Sequence, residues 1–115
     1  MDSTELLKLY AAGERDFQGA KLSYAYLFGE NLSGINLSES IMWRINLSNT
    51  VLKGANLRLT SLAWANLSGA NLSDADLSLA DLSRANLSCA NLSGANLNGT
   101  ILSEANLTGA IMPKQ

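Results

Sequence analysis

The chain has 115 residues, of which 47% are hydrophobic, ten are acidic and eight are basic, giving a net charge of −2. This length fits one domain, and the charge excludes the basic surface that binding to duplex nucleic acid requires. The chain has no histidine, which is the commonest general base and the commonest metal ligand. Its single cysteine, Cys89, cannot form an internal disulfide. We therefore expect no enzyme, no metal site and no cofactor.

Residues 1–14 are predicted to form a short helix that caps the rest of the chain. Asp2 precedes Glu5 by three positions, which is similar to a capping box, and Gly13 offers a C-terminal stop. One face of this helix would carry the apolar residues Leu6, Leu7 and Tyr10. Charged residues interrupt the apolar run that a signal peptide needs, and no segment reaches transmembrane length, so we expect a cytoplasmic protein without membrane contact.

From Phe17 to Met112 an apolar residue recurs at every fifth position, which makes 20 consecutive units with Leu in 17 of them. Five residues of α-helix leave a net rotation of about 140°, so these leucines would form no stripe. A flat strand would point successive leucines to opposite faces, because five is odd. The pattern fits a chain that turns a corner once per unit, with each leucine directed at a common axis.

The other four positions of the unit have distinct preferences. Two residues before the leucine, 16 of 20 units carry Ala, Ser or Thr, which suits a second inward position. The residue just before the leucine is Asn or Asp in 13 units. Asn and Asp tolerate unusual backbone angles and bond nearby backbone groups, so we expect them to form the corners. The residue two after the leucine varies freely and should face solvent.

Residues 65–99 read ANLSG, ANLSD, ADLSL, ADLSR, ANLSC, ANLSG and ANLNG in succession. This pattern closely resembles the pentapeptide-repeat family, and the resemblance covers residues 15–114. It implies an all-β fold, a right-handed quadrilateral parallel β-helix occupying residues 15–115, with four units per coil. Twenty units would give about five coils, namely 15–34, 35–54, 55–74, 75–94 and 95–114.

The two ends of this solenoid are predicted to differ. Arg15 and Glu30 replace the usual small residue in the first coil, and either pair with each other or lie in a wetter end coil. The last coil has no predicted helix after it, which would leave an apolar end. Members of the resembled family dimerise through this end. We therefore expect a homodimer through the C-terminal coil, with the apolar end formed by Leu97, Leu102, Leu107 and Met112.

One side of the predicted solenoid carries most of the distinctive outward residues. We name it the tryptophan side, and it comprises the units centred on Leu22, Met42, Leu62, Leu82 and Leu102. Its candidate protein-binding residues are Tyr24, Trp43, Arg44, Trp64, Arg84 and Glu104. With coils about 4.8 Å apart, Arg44 and Arg84 would flank the Trp64 ring. The other three sides are predicted to lack distinctive outward residues, with mostly Asn, Ser and Gly facing solvent.

Three functions remain open for the tryptophan side. Trp, Tyr and Arg are enriched in binding hot spots, so the first is a non-enzymatic interaction or regulatory module with an unknown protein partner. The second is a ladder that only stiffens the sheet, which would make the chain a spacer. The third is stacking of single-stranded nucleic acid, against which Asp81 and Glu104 argue.

A small acidic cluster permits a different class of function. Some pentapeptide-repeat proteins mimic duplex DNA and modulate type II topoisomerases, and the resemblance extends that possibility to this chain. Asp74, Asp76 and Asp81 would lie near one another, but Arg84 is close to them. Mimicry needs a dense anionic surface, so the charges support this alternative poorly.

Overall fold

The computed structural model describes residues 1–114, and its one helix, α1, is Ser3–Ala11. Asp2 caps α1, because its side chain accepts a hydrogen bond from the Glu5 amide at 2.8 Å. Leu6 is completely buried, so α1 packs its apolar face on the first units of the repeat. Within the described residues no helix combines the length and the apolar character needed to cross a membrane.

The rest of the chain is a solenoid held together by parallel β-bridges between residues 20 positions apart. Each unit contributes one bridged residue, which lies just before the leucine. The bridged residues form four columns of five: 16-36-56-76-96, 21-41-61-81-101, 26-46-66-86-106 and 31-51-71-91-111. The described molecule is correspondingly elongated, with principal extents of 36 × 23 × 22 Å.

Backbone hydrogen bonds run between successive coils in both directions. The Leu57 amide donates to the Asp76 carbonyl at 2.7 Å, and the Asp76 amide donates to the Ala55 carbonyl at 2.9 Å. The same alternation recurs along the column with a period of 20 residues. Each coil therefore satisfies its polar backbone only through its neighbours, as expected of a solenoid.

The core is a narrow column of leucines with small residues packed between them. All central residues from Phe17 to Leu92 are buried, with at most 5% of the surface exposed. The position two residues before the leucine is also buried in the middle of the solenoid, as at Ala55 and Ala75. The predicted pair of inward positions is therefore confirmed.

The corners lie elsewhere in the unit than the sequence analysis predicts. Positive φ falls on the outward residue two after the leucine, at every unit from Gly19 to Gly109, and on none of the Asn or Asp residues before the leucine. Each turn places this residue third, and a single positive φ there is the mark of a type II turn. Eleven of these 19 positions are not glycine, among them Trp64 and Leu59. The outward position is variable in chemistry but restricted in backbone conformation.

The Asn and Asp residues before the leucine support the turns through their side chains. In all 13 such units the side-chain oxygen accepts a hydrogen bond from the backbone amide two residues later. At Asn66, for example, the Oδ1 atom lies 3.0 Å from the Ser68 nitrogen and 2.8 Å from its hydroxyl. Bonding to nearby backbone groups is thus confirmed, although these residues keep ordinary backbone angles.

The suggested pairing of Arg15 with Glu30 is wrong. Arg15 is exposed, its guanidinium carbon lies 3.6 Å from the centre of the Tyr10 ring, and it donates to the Tyr10 carbonyl at 2.8 Å. The only ion pair within residues 1–114 is between Arg84 and Glu104. The end of α1 offers Arg15 both a ring face and carbonyl oxygens, so it turns away from the coil interior.

Candidate binding surface

The tryptophan side carries a stacked ladder of outward side chains. The Arg44 guanidinium carbon lies 4.7 Å from the centre of the Trp64 ring, and the Arg84 guanidinium carbon lies 5.2 Å from it. Arg84 continues the ladder through an ion pair with Glu104, with its Nε atom 2.6 Å from Oε2. The two cation–π contacts predicted from the register are therefore present.

The backbone of each turn explains why these side chains align. Tyr24, Arg44, Trp64, Arg84 and Glu104 all occupy the third position of the turn, with φ between 54° and 66°. Identical backbone geometry at successive coils, about 4.8 Å apart, projects each side chain in the same direction. Neighbouring side chains then meet in the order that the sequence dictates.

Trp43 belongs to the same surface but occupies the second position of its turn. Its backbone amide donates to the Ser23 hydroxyl at 3.1 Å, and 53% of the residue is exposed. Tyr24 is the most exposed of the large apolar or aromatic residues on this side, at 71%, and Trp64 is 49% exposed. The aromatic groups are thus available to a partner.

A second aromatic pair lies on the next side of the solenoid, which we name the uncharged side. It comprises residues 25–29, 45–49, 65–69, 85–89 and 105–109, none of which is charged. Tyr26 and Phe28 stack there with ring centres 6.2 Å apart and an angle of 16° between the planes. They follow Tyr24 around the corner and extend the aromatic surface.

The prediction that the other three sides lack distinctive outward residues is therefore wrong. Tyr26 is 65% exposed and Phe28 is 47% exposed on the uncharged side, and Leu59 and Leu79 are exposed on another. The signal for Tyr26 and Phe28 was available in the sequence, since they replace the usual Asn and Ser of their unit.

The acidic cluster is partly engaged in internal bonds. Asp76 and Asp81 each accept two hydrogen bonds, from the amide and hydroxyl of the serine two positions later. The bonds from Ser78 lower the pKa of Asp76, and the Arg58 charge adds to this effect, while partial burial opposes it. These carboxylates therefore serve as turn acceptors.

The C-terminal end differs from the middle of the solenoid. The candidate dimer residues Leu97, Leu102 and Leu107 are only partly buried, and Met112 is 42% exposed. In the preceding coil the leucine amides donate to the next coil, whereas the amides of Leu97, Leu102 and Leu107 find no backbone acceptor within residues 1–114. This end presents both apolar surface and backbone donors.

Metal-binding groups are not assembled in the part of the chain that the structure describes. No group of three or more His, Cys, Asp or Glu side chains there could hold a metal ion, and Cys89 is exposed. Every buried side-chain nitrogen and oxygen atom in the same part of the chain has a hydrogen-bond partner.

The family model for pentapeptide repeats matches residues 31–63, 60–99 and 85–114, with eight copies. A pentapeptide-repeat protein from the thylakoid lumen of Arabidopsis thaliana is 31% identical, with a TM-score of 0.62, over 87% of this chain and 67% of that one. The Nostoc protein alr5209 is 36% identical, with a TM-score of 0.54, over 99% of this chain and 87% of that one.

A third similar structure is Rfr23 from the cyanobacterium Cyanothece, which is 40% identical with a TM-score of 0.44. The alignment covers 84% of this chain and 63% of Rfr23, so the chain spans less than two thirds of that protein. No curated protein matches the chain. The family match and the first two structures imply a right-handed β-helical solenoid, and the four columns of parallel bridges agree with a solenoid.

Proposed function

Because the chain belongs to the pentapeptide-repeat family, we propose that it is a non-enzymatic protein-interaction module whose partner binds the tryptophan side. The binding residues in this proposal are Tyr24, Trp43, Arg44, Trp64, Arg84 and Glu104. Tyr26 and Phe28 extend the same surface around the corner.

The observation that carries this proposal is the concentration of exposed aromatic groups. Of the chain's seven aromatic residues, five lie exposed between positions 24 and 64, on two neighbouring sides. Trp, Tyr and Arg are enriched among the few residues that supply most of the binding energy in protein interfaces. Aromatic rings suit this role because they bury large areas with few rotatable bonds. The turn itself does not require an aromatic or arginine side chain, because Gly occupies the same turn position in eight other units.

The test compares two double variants in which all four substituted residues have positive φ. Arg44→Asn/Trp64→Asn removes the centre of the ladder, and Leu59→Asn/Leu79→Asn alters the same turn position on another side. Asn suits both, because it tolerates positive φ and already occupies this position at residue 49. We expect a partner captured from lysate by the unaltered protein to be lost with the first variant and kept with the second. Capture that survives the first variant would refute the proposal.

We also infer the finer architecture of the solenoid. The four columns of five bridged residues correspond to five coils of four units, and residues 1–14 act as a cap for the repeat domain 15–115. The burial of Leu6 against the first coil supports the capping role. The proposal places the module in the cytoplasm, where a single reduced thiol such as Cys89 is stable.

The C-terminal coil is our proposed dimer contact. Its exposed Met112, its partly buried leucines and the leucine amides that have no backbone acceptor within residues 1–114 would be covered by the same surface of a second copy. Light scattering should give twice the monomer mass at micromolar concentration, and Leu102→Lys should reduce it to the monomer. A monomeric unaltered protein at high concentration would exclude this contact.

The alternative of a DNA mimic has less support from the site. Two of the three clustered carboxylates, Asp76 and Asp81, bond to their own turns, and Arg84 interrupts the acidic surface. We therefore expect a large excess of the protein to leave the supercoiling activity of a type II topoisomerase unchanged. Inhibition or protection in that assay would favour the mimic over the interaction module.

A further inference from the structure

Resting on this proposed function, we propose that Arg44 is the anchor for a carboxylate, and that the partner is an acidic protein segment with apolar or aromatic side chains beside its carboxylates. The tryptophan side would recognise the carboxylate, and the surrounding aromatic groups would contact the apolar side chains.

Arg44 is the one arginine whose guanidinium lacks a polar partner within residues 1–114. The other three have such partners: Arg15 donates to the Tyr10 and Glu14 carbonyls, Arg58 to the Ser78 hydroxyl, and Arg84 to Glu104. Arg44 instead lies over the Trp64 ring. A guanidinium over a ring face makes no hydrogen bond there, so its N–H donors stay available, and a pair of them matches the two oxygens of a carboxylate.

The charges around Arg44 favour an anion. On the tryptophan and uncharged sides, the first three coils comprise residues 20–29, 40–49 and 60–69. Their only charged residues are Lys21 and Arg44, both positive, although the whole chain has a net charge of −2. An approaching carboxylate would therefore meet two cations and no carboxylate of this protein on that part of the surface.

The uncharged neighbours of Arg44 define the rest of the partner. Trp43 lies beside it in the chain, Tyr24 lies one coil below, and Tyr26 and Phe28 stack around the corner. All four are at least 47% exposed. Burial of these rings would be favourable for apolar and aromatic side chains and would strengthen the Arg44 contact by excluding water.

The number of cations argues for a protein segment instead of a nucleic acid. Two cations match one or two carboxylates, whereas a phosphate chain would continue along the same side to Asp81 and Glu104. Arg84, the remaining cation of that side, is already paired with Glu104. A long polyanion would therefore meet repulsion at the fourth and fifth coils.

Nuclear magnetic resonance of the full chain tests the inference directly. The chain has four arginines and two tryptophans, so the arginine Nε–H and indole N–H signals can be assigned by single substitutions. The probe is the peptide acetyl-GFEGFEG-amide, and the comparison peptide acetyl-GFQGFQG-amide lacks only the charges. We expect the acidic peptide to shift the Arg44 and both tryptophan signals in a saturable manner, with about tenfold tighter binding than the neutral peptide.

Two variants distinguish the paired N–H donors of Arg44 from its positive charge. Arg44→Lys keeps the positive charge but loses the planar pair of donors, and we expect about tenfold weaker binding of the acidic peptide. Arg58→Lys is the matched control on another side, and it should leave the affinity unchanged. Circular dichroism would confirm that both variants retain the fold.

Equal binding of the neutral peptide, equal binding by Arg44→Lys, or comparable binding of a short oligothymidylate would each overturn the inference. These outcomes are distinct from failure of the proposed function. If Arg44→Lys still captures the partner that Arg44→Asn/Trp64→Asn loses, the tryptophan side binds its partner but not through a carboxylate on Arg44. If both double variants capture it equally, the binding site itself lies elsewhere.

Discussion

The Tyr10 hydroxyl donates a hydrogen bond to the Ser33 carbonyl at 2.7 Å and so joins helix α1 to the first coil across 23 residues of sequence. The Arg15 guanidinium lies over the face of the Tyr10 ring, with its carbon 3.6 Å from the ring centre. Tyr10 is half-buried and packs on the leucine column with Leu7. Attachment of α1 thus combines an apolar contact with one specific polar bond.

We expect Tyr10→Phe to destabilise the protein by about 1 kcal/mol, because the ring contacts remain while the bond to Ser33 is lost. Hydrogen exchange should accelerate in α1 more than in the middle coils, since the bond holds only the helix. Tyr24→Phe is the control, because the exposed Tyr24 hydroxyl makes no side-chain hydrogen bond in the described structure. If the two variants lose the same stability, the Tyr10 bond contributes nothing.

Truncation of a central leucine should cost more in the middle of the solenoid than at its C-terminal end. Leu57 is completely buried between two neighbouring coils, so Leu57→Ala should destabilise by about 2–5 kcal/mol. Leu97 lies in the same column but is only partly buried, and Leu97→Ala should cost less. Urea denaturation measures both. Equal losses would show that the last coil is covered in solution, as the proposed dimer requires.

The positive φ at the outward turn position should make glycine replacements costly even where space is open. No heavy atom lies within 4 Å of a Cβ built on Gly54, yet its φ is +67°. We expect Gly54→Ala to destabilise by about 1 kcal/mol and Gly54→Asn by less, since Asn tolerates this conformation.

Lys53→Ala is the control for this comparison, because Lys53 is the exposed neighbour with an ordinary φ. Thermal unfolding of the three variants under one set of conditions would rank them. A Gly54→Ala protein as stable as the Lys53→Ala protein would contradict the assigned turn geometry.

The lowered pKa of Asp76 predicts a loss of stability in acid. A carboxyl whose pKa is lower in the folded state stabilises the fold above its unfolded pKa of about 4, and this contribution disappears as the pH falls through the folded pKa. Asp76→Asn keeps an oxygen that can accept the Ser78 bonds, as Asn66 does from Ser68. The stability advantage of the unaltered protein over this variant should therefore be constant near neutral pH and shrink below about pH 4. An advantage that does not change with pH would exclude this role for the charge.

The core of this fold could be predicted almost completely from the sequence, because burial has a direct periodic signature. An unbroken spacing of five fixes which residues point inward, and the resulting register brings Trp64 between Arg44 and Arg84. The position of the corners could not be read in the same way. The residues with positive φ include Trp64 and Leu79, which have no intrinsic preference for that conformation. Cooperation between coils imposes it on them.

The end of the solenoid was less predictable than its middle for a related reason. Periodicity places Arg15 at an inward position, but its neighbour on the N-terminal side is helix α1, which does not follow the five-residue pattern. Contacts with α1 decide its orientation instead, and these depend on the Tyr10 ring and on carbonyl groups that no repeat encodes. The aromatic pair Tyr26 and Phe28 was not predicted, because the two residues replace Asn and Ser at surface positions and leave the five-residue periodicity unchanged.

The interior repeats every five residues, whereas neighbours on the surface are 20 residues apart. Removing one unit between Trp64 and Arg84 would keep every leucine inward but rotate all later residues by one side, so these two side chains would separate. Removing four units would shorten the solenoid and return each later residue to its original side. Gain or loss of a single unit can therefore change which residues share a side without altering the core. The residues present on a binding side depend on the number of units between them as well as on their type.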